Sequence, residues 1–405
     1  MSGTMLIVHG GAPTAVMNAS LYGAIRAARE SGEVDRVLGA RHGARAIFSG
    51  DYIDLSAMPE EEFELLPRTP ASCIGTSRFP IEEEDYPRLV DALADQGIRY
   101  LLLNGGNGTM DTCGKLARAA ARNPRAAGLR IVGIPKTIDN DLAGTDHAPG
   151  FGSAARYLAA SVAELARDVA ALPIHVCIVE SMGRNAGWLT AASALARDAS
   201  ALAGDVSALA RDAALGPHLI YVPEVPFDEE RFLDEAKALY DRVGGVVVVA
   251  SEGLKDAQGK PIVPPVFQTG RSVYYGDASA HLCALVIKRL GIKARSEKPG
   301  ILGRCSIAHQ SPVDRDEAIL AGAEAARAAI AGHTAAMVGF TRISSKPYRV
   351  EPTLVPVEDA MLHERSLPLG YLNAARNGID GSYLEWCRPL IGGPLATFTS
   401  PVGRS

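Results

Sequence analysis

The chain has 405 residues, 47% of them hydrophobic and 21% charged, with a formal net charge of −5. That balance is ordinary for a globular protein and argues against nucleic acid or a bulk membrane surface as partner. The length exceeds what one core usually serves, so two domains are expected.

In chain order, the apolar run "MLIVHGG" (5–11) leads into "TAVMNASLYGAIRAARESG" (14–32), which reads as strand, glycine turn and amphipathic helix. "YPRLVDALADQG" (86–97) has helical spacing, "IRYLLLNGGNGT" (98–109) is a strand with a glycine-rich end, and "MDTCGKLARAAAR" (110–122) is again a helix. Further strands are expected in "LRIVGIP" (129–135), "IHVCIVESMG" (174–183), "HLIYVPE" (218–224) and "GGVVVVASEG" (244–253). Strands alternating with helices imply parallel sheets covered on both faces, with ligands beyond the carboxyl ends of the strands. The stretch "GKPIVPPVF" (259–267) reads as a loop, and "GSYLEWCRPLIGGP" (381–394) as a packed arm. "SALARDA" occurs at 193–199 and again at 207–213; the 14-residue period either lengthens a helix or bulges out, and carries no chemistry. No apolar run reaches the ~18 residues of a membrane helix, and the first residues lack a signal-peptide layout, so a cytoplasmic location is expected. The six cysteines (Cys73, Cys113, Cys177, Cys283, Cys305, Cys387) are scattered without a C-x-x-C pair and read as reduced thiols.

Most of the unusual chemistry lies at strand ends. "HGGAPT" (9–14) and "NGGNGT" (104–109) each place glycines between a strand and a helix. Singly, each is equally a tight turn. Together they suit a polyphosphate held by backbone N–H groups, although neither is a Walker A or dinucleotide motif. "PKTIDND" (135–141) gathers Lys136, Thr137, Asp139 and Asp141 after an apolar strand. Such a loop serves as turns and caps, or as a base and metal support for phosphoryl transfer. "ESMGR" (180–184) offers Arg184 and "SEG" (251–253) offers Glu252, a cation for phosphate and a carboxylate for sugar hydroxyls. "GTSRF" (75–79) supplies Arg78, a cation for a moving phosphoryl group, while Arg295 and Arg304 suit a monoester phosphate.

These motifs, with "PEVPF" (223–227), resemble the phosphofructokinase family in identity and order from about Leu6 to Glu317. The resemblance implies two Rossmann-like α/β domains with mainly parallel sheets and an active site in the cleft between them. It implies a phosphate-donor domain of about 1–142 plus 304–344, a sugar-phosphate domain of 143–303, and a C-terminal arm (345–405) packed on the core. It implies transfer of a phosphoryl group to the 1-hydroxyl of fructose 6-phosphate, with Asp139 as base. Thr137 holds the phosphoryl group, Asp141 and Asn107 support Mg2+, and Arg78 stabilises charge. Gly10, Gly11, Gly106, Asn107, Gly108, Thr109 and Lys136 line the donor. Thr137, Asp139, His175, Met182, Gly183, Arg184, Glu252, Arg295 and Arg304 line the sugar phosphate. A homodimer or homotetramer is implied, with sugar sites completed across subunits.

Two positions depart from the family pattern. Asn107 stands where an acid usually reaches magnesium, and His175 stands where many bacterial ATP enzymes carry an arginine. The donor signals also conflict. Gly108 leaves room for a nucleotide, whereas Lys136 goes with pyrophosphate. Steric exclusion should decide more than an adaptable lysine does, so ATP is favoured, with a pyrophosphate-dependent enzyme as the alternative. The same motifs also suit an acceptor such as sedoheptulose 7-phosphate. A catalytically silent sugar-phosphate-binding regulatory protein is favoured by Asn107 alone.

Overall fold

The computed structural model of the protein describes residues 3–200, 216–269, 272–361 and 363–398. The second SALARDA copy, 207–213, lies outside the described residues, and the first falls in the 3-10 helix Ser193–Ser200. Strands follow in the order β1 (Gly3–His9), β2 (Val34–Ala40), β3 (Tyr52–Asp54), β4 (Ile98–Gly105), β5 (Arg130–Pro135), β6 (His175–Ser181), β7 (Leu219–Tyr221), β8 (Val246–Ser251), β9 (Pro265–Thr269), β10 (Ser272–Tyr275), β11 (Lys293–Glu297), β12 (Ala336–Ser345) and β13 (Tyr348–Pro356). The helices that position the site are α1 (Met17–Ser31), α2 (Asn107–Ala121) and α3 (Pro312–Ile330).

The chain divides into two compact units, Met1–Ser153 with Arg304–Arg365 and Ala154–Gly303 with Ser366–Ser405. Both are α/β, with mainly parallel sheets. The first carries a seven-stranded sheet in the order β13-β12-β5-β4-β1-β2-β3. The pairs β1–β2, β1–β4, β4–β5 and β5–β12 are parallel, while β2–β3 and β12–β13 close the edges antiparallel. Alternate residues of the central strands feed separate cores. Met5 and Ile7 pack with Leu21 and Ile25 of α1, whereas Leu6 and Val8 pack with Met110 and Leu116 of α2. A strand buried on both faces needs apolar side chains at every position, which is why "MLIV" and "YLLL" are unbroken.

Helices α1 and α3 meet backbone to backbone. A Cβ on Gly23 would overlap the Ile319 carbonyl oxygen, and one on Gly322 would overlap that of Ser20. Helix α3 starts cleanly, with Ser311 accepting from the Asp314 N–H at 3.2 Å and Pro312 at its first position.

The second unit holds a four-stranded parallel sheet, β11-β6-β8-β7. Strands β6 and β8 are buried throughout, while β11 is an exposed edge carrying Lys293, Arg295 and Glu297. The expected loop 259–267 overlaps a strand, because β9 starts at Pro265, where a proline costs no ladder bond. The segment from Ser345 does not stand apart from the units. β13 completes the first unit's sheet, and the helix Gly381–Cys387 packs in the second, where the Tyr383 hydroxyl donates to the Trp188 carbonyl at 2.5 Å. The Trp188 and Trp386 rings lie 4.9 Å apart there.

Candidate active site

In the first unit the carboxyl ends of β1, β4 and β5 lie side by side, so their three loops form one surface. After β1, the Gly10 N–H donates to the Asn104 carbonyl at 2.9 Å and the Gly11 N–H to the Ser77 carbonyl at 2.9 Å. Gly11 takes φ +76°, a left-handed conformation that glycine adopts without a Cβ clash. The Thr76 hydroxyl donates to the Gly11 carbonyl at 2.7 Å. The segment carrying Arg78 is therefore sewn to the β1 turn, with the Arg78 side chain exposed.

After β4, Gly106 precedes α2, whose first residues are Asn107, Gly108 and Thr109. No acid occupies this first turn, so the N-terminal N–H groups and the helix dipole favour an anion. A Cβ on Gly108 would meet nothing within 4 Å, whereas Thr109 packs closely on Gly10 and Gly105.

After β5, the Lys136 N–H donates to the Gly105 carbonyl at 3.0 Å and continues the ladder past Pro135. The buried Lys136 ammonium donates to the Ala12 carbonyl at 2.6 Å and lies beside Gly11. Burial lowers its pKa to about 8; Asp139 opposes that fall, and Arg304 and Arg78 add to it. The next residues tie themselves together. The Thr137 hydroxyl donates to Asp141 Oδ1 at 3.1 Å and accepts from the Asp139 N–H at 3.1 Å. Asn107 Nδ2 donates to Asp141 Oδ2 at 2.8 Å. Asn140 adopts φ +53° and its side-chain oxygen accepts from the Ala148 N–H at 3.0 Å, so Asp139 and Asp141 flank an anchored reversal. Burial pushes the Asp141 carboxyl up, against the hydrogen bond from Thr137.

Arg304 joins this group rather than standing with Arg295. It belongs to the first unit, and burial, then the charge of Arg78, lower its pKa while Asp139 opposes. Lys136 and Arg304 thus both act on one carboxylate, Asp139, and Arg78 acts on the two cations.

Among the described residues no group of three or more His, Cys, Asp or Glu could hold a metal ion. Magnesium, however, needs only one or two protein oxygens when substrate phosphates complete its shell. Asn107 Oδ1 is buried without a hydrogen-bond partner, beside the Asp141 carboxylate. Those two oxygen donors fit magnesium.

In the second unit the expected residues divide. Met182, Gly183, Arg184 and Glu252 lie at the carboxyl ends of β6 and β8. The Glu252 N–H donates to the Ser181 carbonyl at 2.9 Å, and the Ser251 hydroxyl donates to the Gly183 carbonyl at 2.8 Å. Burial raises the Glu252 pKa, and the Arg184 guanidinium and Gly183 N–H oppose it. His175 and Arg295 are not with them. His175 opens β6 and Arg295 pairs in register with Cys177, so His175 sits about 20 Å of strand from Ser181.

Residue types alone gave no role to His9 or Arg365, and marked Asn140 only as the amide between Asp139 and Asp141. Arg365 donates to the Thr145 carbonyl at 2.5 Å and to the Asn140 carbonyl at 3.2 Å, and so holds the reversal from outside. A polar residue closing an apolar strand, as His9 does, was the available signal.

The phosphofructokinase family pattern matches residues 4–329. A pyrophosphate–fructose 6-phosphate 1-phosphotransferase of Xanthomonas campestris pv. campestris is 37% identical over 409 residues, covering 98% of this chain and 93% of that protein. The enzyme of that name from Rhodospirillum rubrum is 35% identical over 400 residues, covering 96% and 94%. The crystal structure of a pyrophosphate-dependent phosphofructokinase from Marinobacter aquaeolei superposes with a TM-score of 0.83 at 30% identity, covering 97% of this chain and 92% of that one. The chain belongs to the phosphofructokinase family and is a phosphotransferase of that type.

Proposed function

We propose that the protein transfers a phosphoryl group from pyrophosphate to the 1-hydroxyl of fructose 6-phosphate, giving fructose 1,6-bisphosphate and phosphate. The observation that carries this reading is the interlocked loop Thr137–Asp141, with Asp139 coupled to the charges of Lys136 and Arg304 and with Arg78 beside those two cations. Asp139 takes the proton of the sugar hydroxyl, whose oxygen then attacks the nearer phosphorus. The bond from that phosphorus to the bridging oxygen breaks as the new one forms. Thr137 and Arg78 hold the oxygens of the moving group, and the turns at Gly10, Gly11, Gly106 and Thr109 present N–H groups to the donor. Asn107 and Asp141 hold magnesium, which supplies neutralisation of donor charge when bound. In the second unit, Met182, Gly183, Arg184 and Glu252 take the sugar.

His175 and Arg295, at the opposite end of their sheet, serve the 6-phosphate of a second copy, with Arg304 as the contribution from the first unit. The protein accordingly works as a homodimer or homotetramer, in the cytoplasm. No helix among the described residues is long and apolar enough to cross a membrane.

Two features support pyrophosphate as donor: the named relatives, and a Lys136 ammonium fixed beside Gly11. ATP is the second reading. The open space at Gly108 favours it, as the sequence alone does. Purified protein given fructose 6-phosphate and magnesium, with pyrophosphate or ATP in separate assays, distinguishes them. Turnover with pyrophosphate is expected. Turnover with ATP alone moves the assignment to the second reading, and turnover with neither donor overturns both.

A further inference from the structure

His9 closes β1, is fully buried, and takes part in none of the steps above. Its Nδ1 lies 2.7 Å from the Ser72 hydroxyl oxygen. That hydroxyl spends its only proton on the Gly75 carbonyl, at 2.9 Å, so the imidazole is the donor and carries its proton on Nδ1. Nε2 is then a bare acceptor, buried without a hydrogen-bond partner. An apolar residue at this position would avoid burying that unsatisfied atom, so the other end of the ring must account for the histidine.

What the other end holds is the start of the segment that presents Arg78. Residues 72–79 start at Ser72, bury Ile74 in the core beside Met5 and Ile7, and turn at Gly75. They touch the β1 turn through the Gly11 and Thr76 hydrogen bonds, and the Phe79 ring then lies 5.1 Å beneath the Arg45 guanidinium. His9 is one residue before Gly10. One side chain therefore joins the donor turn to the root of the arginine segment from inside the sheet, while the Asn18 side chain and the His42 N–H hold the next two residues, Cys73 and Ile74.

The geometry points to His9 as a positioning residue that sets Arg78 against the donor turn through Ser72. This rests on the reading of Arg78 as the cation at the moving phosphoryl group. The ring does its work neutral. Burial, reinforced by the charge of Lys136, holds its pKa down at about 3, so the Nδ1–H bond persists across the working range. A neutral ring also adds no positive charge behind Lys136.

Three single variants, one double variant and one spectroscopic measurement test the link. His9→Leu removes the donor, Ser72→Ala removes the acceptor, and His9→Asn retains an N–H near the place of Nδ1. His9→Leu and Ser72→Ala are each expected to lower kcat about 10- to 100-fold, the scale of a misplaced charged group, with the KM for fructose 6-phosphate held within about 2-fold. His9→Asn should recover most of the lost turnover. The double variant His9→Leu/Ser72→Ala should be no slower than either single one, because one link is cut once. The melting temperature of His9→Leu should not fall below that of Ser72→Ala, since the unsatisfied Nε2 leaves with the ring.

Undiminished kcat in Ser72→Ala, or multiplicative losses in the double variant, overturns the proposal. If His9→Leu fails to fold, Ser72→Ala and His9→Asn still decide it. Should the wild-type protein turn over neither donor, the functional reading fails by itself. The link is then judged from 15N shifts of the labelled His9 ring. A neutral Nδ1–H tautomer from pH 6 to 9 sustains it, and an imidazolium or an Nε2–H tautomer rejects it.

Discussion

After β5 in the first unit, Thr137, Asp139, Asn140 and Asp141 are tied to one another, to Asn107 and to Ala148 through side chains. After β6 and β8 in the second unit, the residues that carry the expected sugar contacts are held through Ser251 and backbone, with buried Glu180 behind them accepting from the Ser279 N–H at 3.0 Å and pairing with Lys298 at 2.8 Å, and Arg184 is exposed. The difference matches two kinds of work. A base must be held to within a fraction of an ångström of the proton it removes, so its neighbours need fixed rotamers. A group that recognises a flexible phosphosugar gains from reach and solvent access, and its removal shows in binding. On the proposed function, the first loop serves turnover and the second affinity.

Asp139→Ser tests this most severely. Turnover should fall by about 10²–10⁴-fold, as for loss of a general base, with the KM for sugar phosphate little changed. Steady-state kinetics with saturating donor measure it; an unimpaired variant ends the assignment. Glu252→Gln should do the converse, raising the KM for fructose 6-phosphate by about 10- to 100-fold, the worth of a hydrogen bond to a charged group, while kcat changes less. A loss confined to kcat would erase the contrast between the loops.

Gly108→Asp sharpens the first side. Its Cβ has room, so the variant should fold, and its carboxylate would face any donor extending past the second phosphate. The ratio of pyrophosphate to ATP turnover should rise about 10-fold through like-charge repulsion; an unchanged ratio places the nucleotide elsewhere. The smallest effect is on pH. Lys136 in the free enzyme titrates at about 8, so its ammonium is present below that pH and lost above it. The donor kcat/KM should therefore fall severalfold as pH rises from 7 to 9. Lys136→Met should flatten that limb while lowering the plateau.

The parallel strands were legible because burial on both faces leaves runs such as "VVVV" that need no partner to be recognised. The loop residues were legible because acids, amides and glycines are out of place directly after such runs. What stayed hidden depends on distance in the chain. Arg304 reads by spacing as a partner of Arg295, yet its charge environment is Arg78, Lys136 and Asp139. The sequence shows His175 and "ESMGR" in one apolar stretch, and the length of β6 between them appears only in the fold. β13 went unseen because it is an edge strand of alternating exposure with prolines at Pro352 and Pro356, a pattern that imitates a loop. Arg365 could not be found at all, since its target, the Asn140 carbonyl, is defined only once the chain has folded.

The contact of α1 with α3 has a further consequence. Gly23 and Gly322 each press on the other helix's backbone, so neither position can enlarge without prying both apart. Helix α1 begins just past the turn after β1, and Asp314 in the first turn of α3 accepts from the Gly150 N–H at 2.8 Å, beside the strand-like pairing of Gly150 with Thr137. A single methyl group at either glycine would thus act as a wedge whose leverage reaches the loops after both β1 and β5. A screen for slow enzymes would find it in the hidden seam between two helices, in a residue that never meets substrate.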